Sequence, residues 1–138
     1  MIFMQKVAVF TLIDGKGRML LQHRNESMAR FPNLWGLFGG LVEDGEIPEV
    51  AVRREAKEEI GVDLEEMEFC GKYLSEGYEL HLFIGQLEAP VEQLKNQQTE
   101  GDDLGMFSLD EIESLKMTPR IKEILQKIFK PNNLKCEY

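Results

Sequence analysis

Cross-linking and soft-metal residues are scarce in this 138-residue chain, which has two cysteines, Cys70 and Cys136, and two histidines, His23 and His81. The cysteines are isolated and have no ligand-like spacing, so the simplest expectation is two free thiols in a reducing cytoplasm. Neither histidine has a nucleophile or metal-ligand pairing, and each reads as a strand residue. No apolar run approaches the roughly 20 residues needed to cross a bilayer. The opening decapeptide MIFMQKVAVF lacks the basic head, long apolar stretch and cleavage site of a secretory signal, so a cytoplasmic protein with no membrane partner is expected. Positive charge is also short: 16 Lys and Arg stand against 25 Asp and Glu, a net charge of −9. This argues against nucleic-acid partners, which require a basic surface.

What remains is 43% apolar and 30% charged, the composition of a globular chain, expected to form one domain over residues 1–138. Lys6 to Ile13 is a β-rich run, Asp14-Gly15-Lys16-Gly17 a turn, and Arg18 to Arg24 a second strand, together a hairpin. Residues 25–34 read as a loop, and Trp35 to Phe38 as a short strand. Glu66 to Leu74 and Tyr78 to Leu87 read as two strands joined by a tight turn, the second alternating Leu80, Leu82 and Ile84 against His81, Phe83 and Gly85. Residues 88–103 show no periodicity and read as a loop, with Met106-Phe107 closing a last strand. Ser108 followed by Glu111 is a capping box. Thr118-Pro119 opens a helix carrying Ile121, Ile124, Leu125, Ile128 and Phe129 at helical spacing, and Pro131 ends it. Strands mixed with helices imply an α/β fold, an α/β/α sandwich with a mixed β-sheet.

The densest information lies in residues 40–62, GLVEDGEIPEVAVRREAKEEIGV. Pro48 suits the first turn of a helix and Gly61 the left-handed residue after its end. Between them Glu55, Glu58 and Glu59 fall on one arc about 100° wide, with Val52, Ala56 and Ile60 beside it to dock on a core. Like charges at this spacing cost each pair a few tenths of a kcal/mol. Glu58 and Glu59 also stand at the helix C-terminus, where the macrodipole disfavours anions. Carboxylates placed against both rules point to a divalent cation. An isolated E-x-x-E-E cluster is more often a solvated helix face, but Gly40, Glu46, Arg54 and Gly61 at set offsets reverse that preference.

The pattern G-x5-E-x7-R-E-U-x-E-E-x-G-U, with U apolar, resembles the box of the Nudix hydrolases; Ala56 is smaller than the residue usual at its position. Seven fixed letters at set spacing arise by chance in far fewer than about one chain per million. The resemblance implies the same sandwich fold and hydrolysis of a nucleoside diphosphate linked to a group X. It implies Mg²⁺, with Mn²⁺ as a substitute, held by Glu55, Glu58, Glu59 and the Gly40 carbonyl. Arg54 then orients the ligands through Glu55 or Glu46, Glu46 and Gly61 serve the structure of the motif, and Glu43 is a loop carboxylate outside it. In the similar MutT-type enzymes a loop glutamate before the last strand takes the proton of the attacking water, a position comparable to Glu100. Glu58 and Glu59 compete for that role. Net acidity would repel a polyphosphate unless bound cations neutralise both sides, which fits a metal-dependent enzyme.

For the substrate's base, Arg24, Phe31 and Trp35 are candidates, with Trp35 leaning toward a core role. Tyr78 lies 16 positions after Val62, near the place of a tyrosine in diadenosine polyphosphate hydrolases, although a strand aromatic needs no special reason. No proline falls between Pro48 and Pro90, unlike in ADP-ribose hydrolases. A compact single domain with Leu34-Trp35-Gly36-Leu37-Phe38-Gly39-Gly40 before the box looks most like the MutT-type enzymes, a resemblance that implies a nucleoside triphosphate as substrate, with dinucleoside polyphosphates or nucleotide sugars as the alternative. Residues 20–24 and 31–35 also resemble isopentenyl diphosphate isomerases, but those use a cysteine near the site, and none precedes Cys70. Sensors on this fold lose the glutamates, and here all three remain. A monomer or homodimer fits equally.

Overall fold

The computed structural model describes residues 4–129. Its spine is β1 (Gln5–Ile13), whose alternating apolar residues supply both faces of one sheet. Along its whole length β1 pairs in parallel with β6 (Tyr78–Gln86). Two antiparallel strands share its other edge. β2 (Met19–His23) meets it at Ile13↔Met19, and β4 (Phe38–Leu41) pairs with Val7 to Phe10. β2 therefore leaves β1 directly after the hairpin turn and pairs instead with β3 (Trp35–Gly36) and β7 (Asp103–Phe107). β5 (Glu68–Ser75) flanks β6 at the far side. The divergence of β2 from β4 leaves an opening lined by Arg24, Gly39 and Gly40.

Helices cover both faces, as the expected sandwich requires. α1 (Pro48–Ile60) and α2 (Val91–Gln97) pack Val52, Ala56, Ile60 and Leu94 against Ala8, Phe10, Leu12 and Leu20. On the opposite face α3 (Leu109–Glu113) and α4 (Ile121–Ile128) place Ile112, Ile124, Leu125 and Ile128 over Val9, Ile13, Leu80 and Leu82. Successive residues of β1 thus feed opposite cores, the outcome its pleat dictates. Each fully buried Leu, Ile or Phe contributes about 1.5–3 kcal/mol.

Local signals set most element ends. Pro48 is at the start of α1, and Gly61 closes it at φ 68°, with its own N–H on the Lys57 carbonyl and the Val62 N–H on that of Ala56. Ser108 and Glu111 form the reciprocal capping box expected of α3. The β5–β6 turn has φ of 51° at Glu76 and 83° at Gly77, a primed hairpin turn matched to strand twist.

Four expectations need correction. Residues 88–103 are not all loop: α2 occupies Val91–Gln97, anchored by the single buried residue Leu94. One buried side chain in seven residues leaves no periodicity to read. The last described helix starts at Ile121, after a turn in which Arg120 takes φ 67°, and not at Thr118-Pro119. The strand expected over residues 35–38 is broken at Leu37 into β3 and β4, which pair with different partners. Cys70, fully buried in β5, is disulfide-bonded and not a free thiol. Cys136 and Pro131 lie outside the described residues. No helix among those residues is long and apolar enough to cross a membrane.

Candidate functional site

Helix α1 projects its charged face toward β4 and the loop that precedes it. There Arg54 is the hub. Its Nε and Nη2 donate to the two Glu46 oxygens at 2.8 and 3.0 Å, and Nη1 donates to Glu55 at 3.0 Å and to Glu58 at 3.2 Å. Nη2 also donates to the Leu41 carbonyl at 3.2 Å and stands 3.7 Å from Glu43. Fork-to-fork geometry of this kind is the strong form of the arginine–carboxylate pair. Hydrogen bonds from Arg54, then from the Glu43 amide, hold Glu46 down at about 2. Arg54 itself is pushed above the ordinary arginine range, foremost by Glu46.

Beside this knot three carboxylates converge. One oxygen each from Glu55, Glu59 and Glu100 lies within 4.8 Å of the others. Glu59 is only 3% exposed. Its Oε2 accepts from the Gly39 amide at 3.1 Å, while its Oε1 is buried with no hydrogen-bond partner. Burial first, then the hydrogen bonding and charge of Glu100 and of Glu55, push the Glu59 carboxyl far above the ordinary range. The glycines of β4 make this approach possible. A β-carbon at Gly40 would stand 2.4 Å from Glu55 Oε1, and one at Gly39 would stand 2.1 Å from the Ala8 carbonyl.

Glu100 reaches the cluster from the segment between α2 and β7. Thr99 ties that segment to the end of α1, its amide on the Glu59 carbonyl at 2.8 Å and its hydroxyl on that of Glu58 at 2.9 Å. Gln98 Nε2 donates to the Glu100 carbonyl at 2.8 Å. Gln22 Nε2 donates to Glu100 Oε1 at 3.2 Å, and Arg24 Nη1 is 3.7 Å from the same oxygen.

Two of the three helix carboxylates expected to hold a cation therefore meet, joined by Glu100, and Glu58 stands apart. Relative to Glu55, the helical step turns Glu59 toward β4 and Glu58 the other way, to a side chain 58% exposed. An orphaned buried carboxylate oxygen beside two further carboxylates is a hard, all-oxygen donor set, which fits a divalent cation. Gly40 is in contact with that set through Glu55.

Glu100 opens onto a cavity of about 390 Å³, lined also by Gly39, Gly40, Arg24, Phe31 and Tyr78 among others. Three of the four expected substrate contacts thus share one space. Trp35 does not. It packs edge-on against His23 at 5.1 Å and Phe107 at 4.8 Å, in the α3–α4 core. Two residues of the site escape sequence reasoning. Gln22 is completely buried yet polar, and a lone glutamine in the run Met19–His23 is the signal that marks it. Arg30 also lines the cavity; it lies in an unpatterned loop, and nothing local distinguishes it.

The profile of the NUDIX domain matches residues 3–128. Over 60 residues the chain is 43% identical to nucleoside triphosphatase NudI of Escherichia coli, an alignment covering 44% of this chain and 43% of that protein. The chain thus spans less than half the length of that curated relative. The MutT NUDIX hydrolase of Burkholderia pseudomallei superposes with a TM-score of 0.71 at 24% identity, over 91% of this chain and 98% of its own. The NUDIX domain of Shewanella oneidensis NrtR, solved with ADP ribose, superposes at 0.72 and 16% identity, over 92% and 87%. At these identities the likeness concerns the fold.

Proposed function

The chain belongs to the NUDIX family, and on that premise we propose that it is a divalent-metal-dependent pyrophosphohydrolase acting on nucleoside triphosphates. The observation that carries this reading is the convergence of Glu55, Glu59 and Glu100, with an unpartnered buried oxygen on Glu59 and with Glu100 at the wall of the cavity. Mg²⁺, or Mn²⁺ in its place, would neutralise these anions, polarise phosphoryl oxygens and acidify a water when bound.

The chain's own residues divide the remaining work. Glu55 and Glu59 hold the cation, with the Gly40 backbone against them. Arg54 fixes Glu55 from behind, and Glu46 fixes Arg54. Glu58, exposed and shared with Arg54, steadies that guanidinium and stays outside the donor set. Glu100 takes the proton of the attacking water as its oxygen bonds to phosphorus and the bridging P–O bond breaks. Gln22 and Arg24 orient the Glu100 carboxylate, and Arg24 adds positive charge beside the polyphosphate. A nucleoside monophosphate and pyrophosphate leave. The name of the NudI relative favours triphosphates over other linked groups.

The deciding experiment is a product-resolved hydrolysis screen with Mg²⁺ or Mn²⁺ over nucleoside triphosphates, nucleotide sugars, ADP-ribose and dinucleoside polyphosphates. Triphosphates should give the highest kcat/KM, with pyrophosphate as product. Turnover confined to another class would replace the substrate assignment, and no turnover of any of them would end the hydrolase reading.

A further inference from the structure

The cavity has a second end that the carboxylate chemistry does not use. There the guanidinium of Arg30 lies over two aromatic faces, 4.9 Å from the ring centre of Phe31 and 4.5 Å from that of Tyr78. The chain contains six arginines. Arg18, Arg24, Arg53, Arg54 and Arg120 each have a carboxylate within ion-pair distance. Among the described residues Arg30 is the exception: its guanidinium has two rings and no hydrogen bond or ion pair. In a protein with nine more acids than bases, an arginine whose five donors are uncommitted and face a cavity is placed for a ligand.

The backbone holds it there. Phe31 adopts φ 51°, a left-handed conformation rare for a bulky residue. Arg24, itself near Glu100, donates from Nε to the Arg30 carbonyl at 3.0 Å. Position along the sheet gives the scale. Tyr78 faces Gln5 on β1, and Gly40 faces Ala8, three residues further on. Three residues of strand span about 10 Å, comparable with a ribose and the phosphates attached to it. A nucleotide whose phosphates meet the carboxylates therefore sets its base at Arg30.

We propose that Arg30 is a specificity-determining residue that reads the base edge and selects guanine among purines; this rests on the nucleotide-hydrolase reading above. With its faces engaged by the rings, the guanidinium presents its N–H fork, which matches two adjacent acceptors. Guanine offers these at O6 and N7. Adenine offers N7 but sets its N6 amino group donor against donor. The oxidised base 8-oxoguanine carries hydrogen on N7 and is rejected for the same reason, a donor set against a donor.

The test compares wild type, Arg30→Lys and Arg30→Gln. Three quantities are measured: kcat/KM for GTP, ATP and 8-oxo-GTP with Mg²⁺, calorimetric Kd for GMP and AMP, and Tm. Wild type should favour GTP over both rivals, and GMP over AMP, by about 10- to 100-fold. Both variants should bring these ratios within about 3-fold of unity at unchanged Tm, Arg30→Lys included because an ammonium keeps the charge and loses the fork. A wild-type guanine-to-adenine ratio near one, or a ratio that survives in Arg30→Gln, overturns the assignment of Arg30 and leaves hydrolysis standing. If wild type turns over no nucleotide, the hydrolase reading falls, and the GMP-to-AMP affinity ratio decides the role of Arg30 by the same criterion.

Discussion

Two clusters of charge share helix α1 and differ in whether the protein itself neutralises them. Around Arg54 the carboxylates have a donor: Glu46 takes both prongs of the guanidinium, and Glu55 and Glu58 share the third nitrogen. Beside it Glu55, Glu59 and Glu100 converge, and the buried Oε1 of Glu59 has no donor at all. The contrast in acidity follows, with Glu46 held near 2 and Glu59 driven far upward by burial and by its anionic neighbours. A satisfied ion-pair knot fixes geometry, whereas a cluster of carboxyls with no donor among them fits a cation from outside. Glu55 belongs to both, so the knot sets where one donor of the cluster stands.

The largest effects should come from the unsatisfied cluster. Excess chelator should abolish hydrolysis. Glu59→Gln should lower kcat by about 10²-fold or more, beyond the 10- to 100-fold typical of residues that only brace a metal ligand. Because a ligand that binds only the folded state raises Tm, Mn²⁺ should stabilise wild type and leave Glu59→Gln unmoved. Without metal the variant should be at least as stable as wild type, because its amide replaces a carboxyl whose charged form burial and the neighbouring Glu100 and Glu55 already disfavour. Equal Mn²⁺ responses in the two proteins would show that the cation binds elsewhere. Glu100→Gln should reduce kcat by about 10²- to 10⁴-fold, the range of general-base catalysis, with KM nearly unchanged. A KM change with kcat intact would make Glu100 a binding residue instead.

The knot should give a smaller loss of rate and a larger loss of stability. Arg54→Gln leaves Glu46 and Glu55 without their partner, so we expect kcat to fall by about 10- to 100-fold and the melting temperature to fall with it. Glu46 supplies a pH signature. Its folded pKa lies below the unfolded value of 4.5, at about 2. The pair therefore contributes fully above the unfolded value, and its contribution is lost as pH falls through the window between the two. Urea titrations from pH 6 to pH 2 should show this acid loss in wild type and a weaker one in Arg54→Gln. Identical slopes would remove Glu46 from the account.

Legibility in the sequence followed the range of the physics. The ends of α1 were readable because Pro48 and Gly61 act on their own backbone. β1 was readable as a β-rich apolar run and β6 by its alternation, both local signals, and so was the capping box of α3. α2 was not, since Leu94 alone anchors it. The acidic face of α1 announced a cation, but which of its carboxylates turn inward depends on where β4 and the Thr99–Glu100 segment pass, and no periodicity records that. Glu100 was reachable only through its place before the last strand. Arg30 was unreadable for a similar reason: its contact with Tyr78 joins positions 48 residues apart.

The smallest expected effect concerns Glu58, and it separates the two clusters most sharply. Glu58 and Glu59 are neighbours in sequence and identical in chemistry, yet one side chain is 58% exposed and the other is buried. Arg54 reaches Glu58 at 3.2 Å through the same nitrogen that serves Glu55. An exposed i,i+4 pair of this kind contributes about 0.3–0.5 kcal/mol, and Arg54 keeps Glu46 and Glu55 without it. Relief of like-charge repulsion from Glu55 offsets part of the loss. Glu58→Gln should therefore leave Tm nearly unchanged and kcat within about 3-fold of wild type, well below the 10- to 100-fold cost of losing a residue that braces a metal ligand. The Mn²⁺-induced rise in Tm should persist in full. A fall in kcat comparable to that of Glu59→Gln, with the Mn²⁺ response lost, would place Glu58 among the cation's donors and extend the cluster to the solvent side of α1.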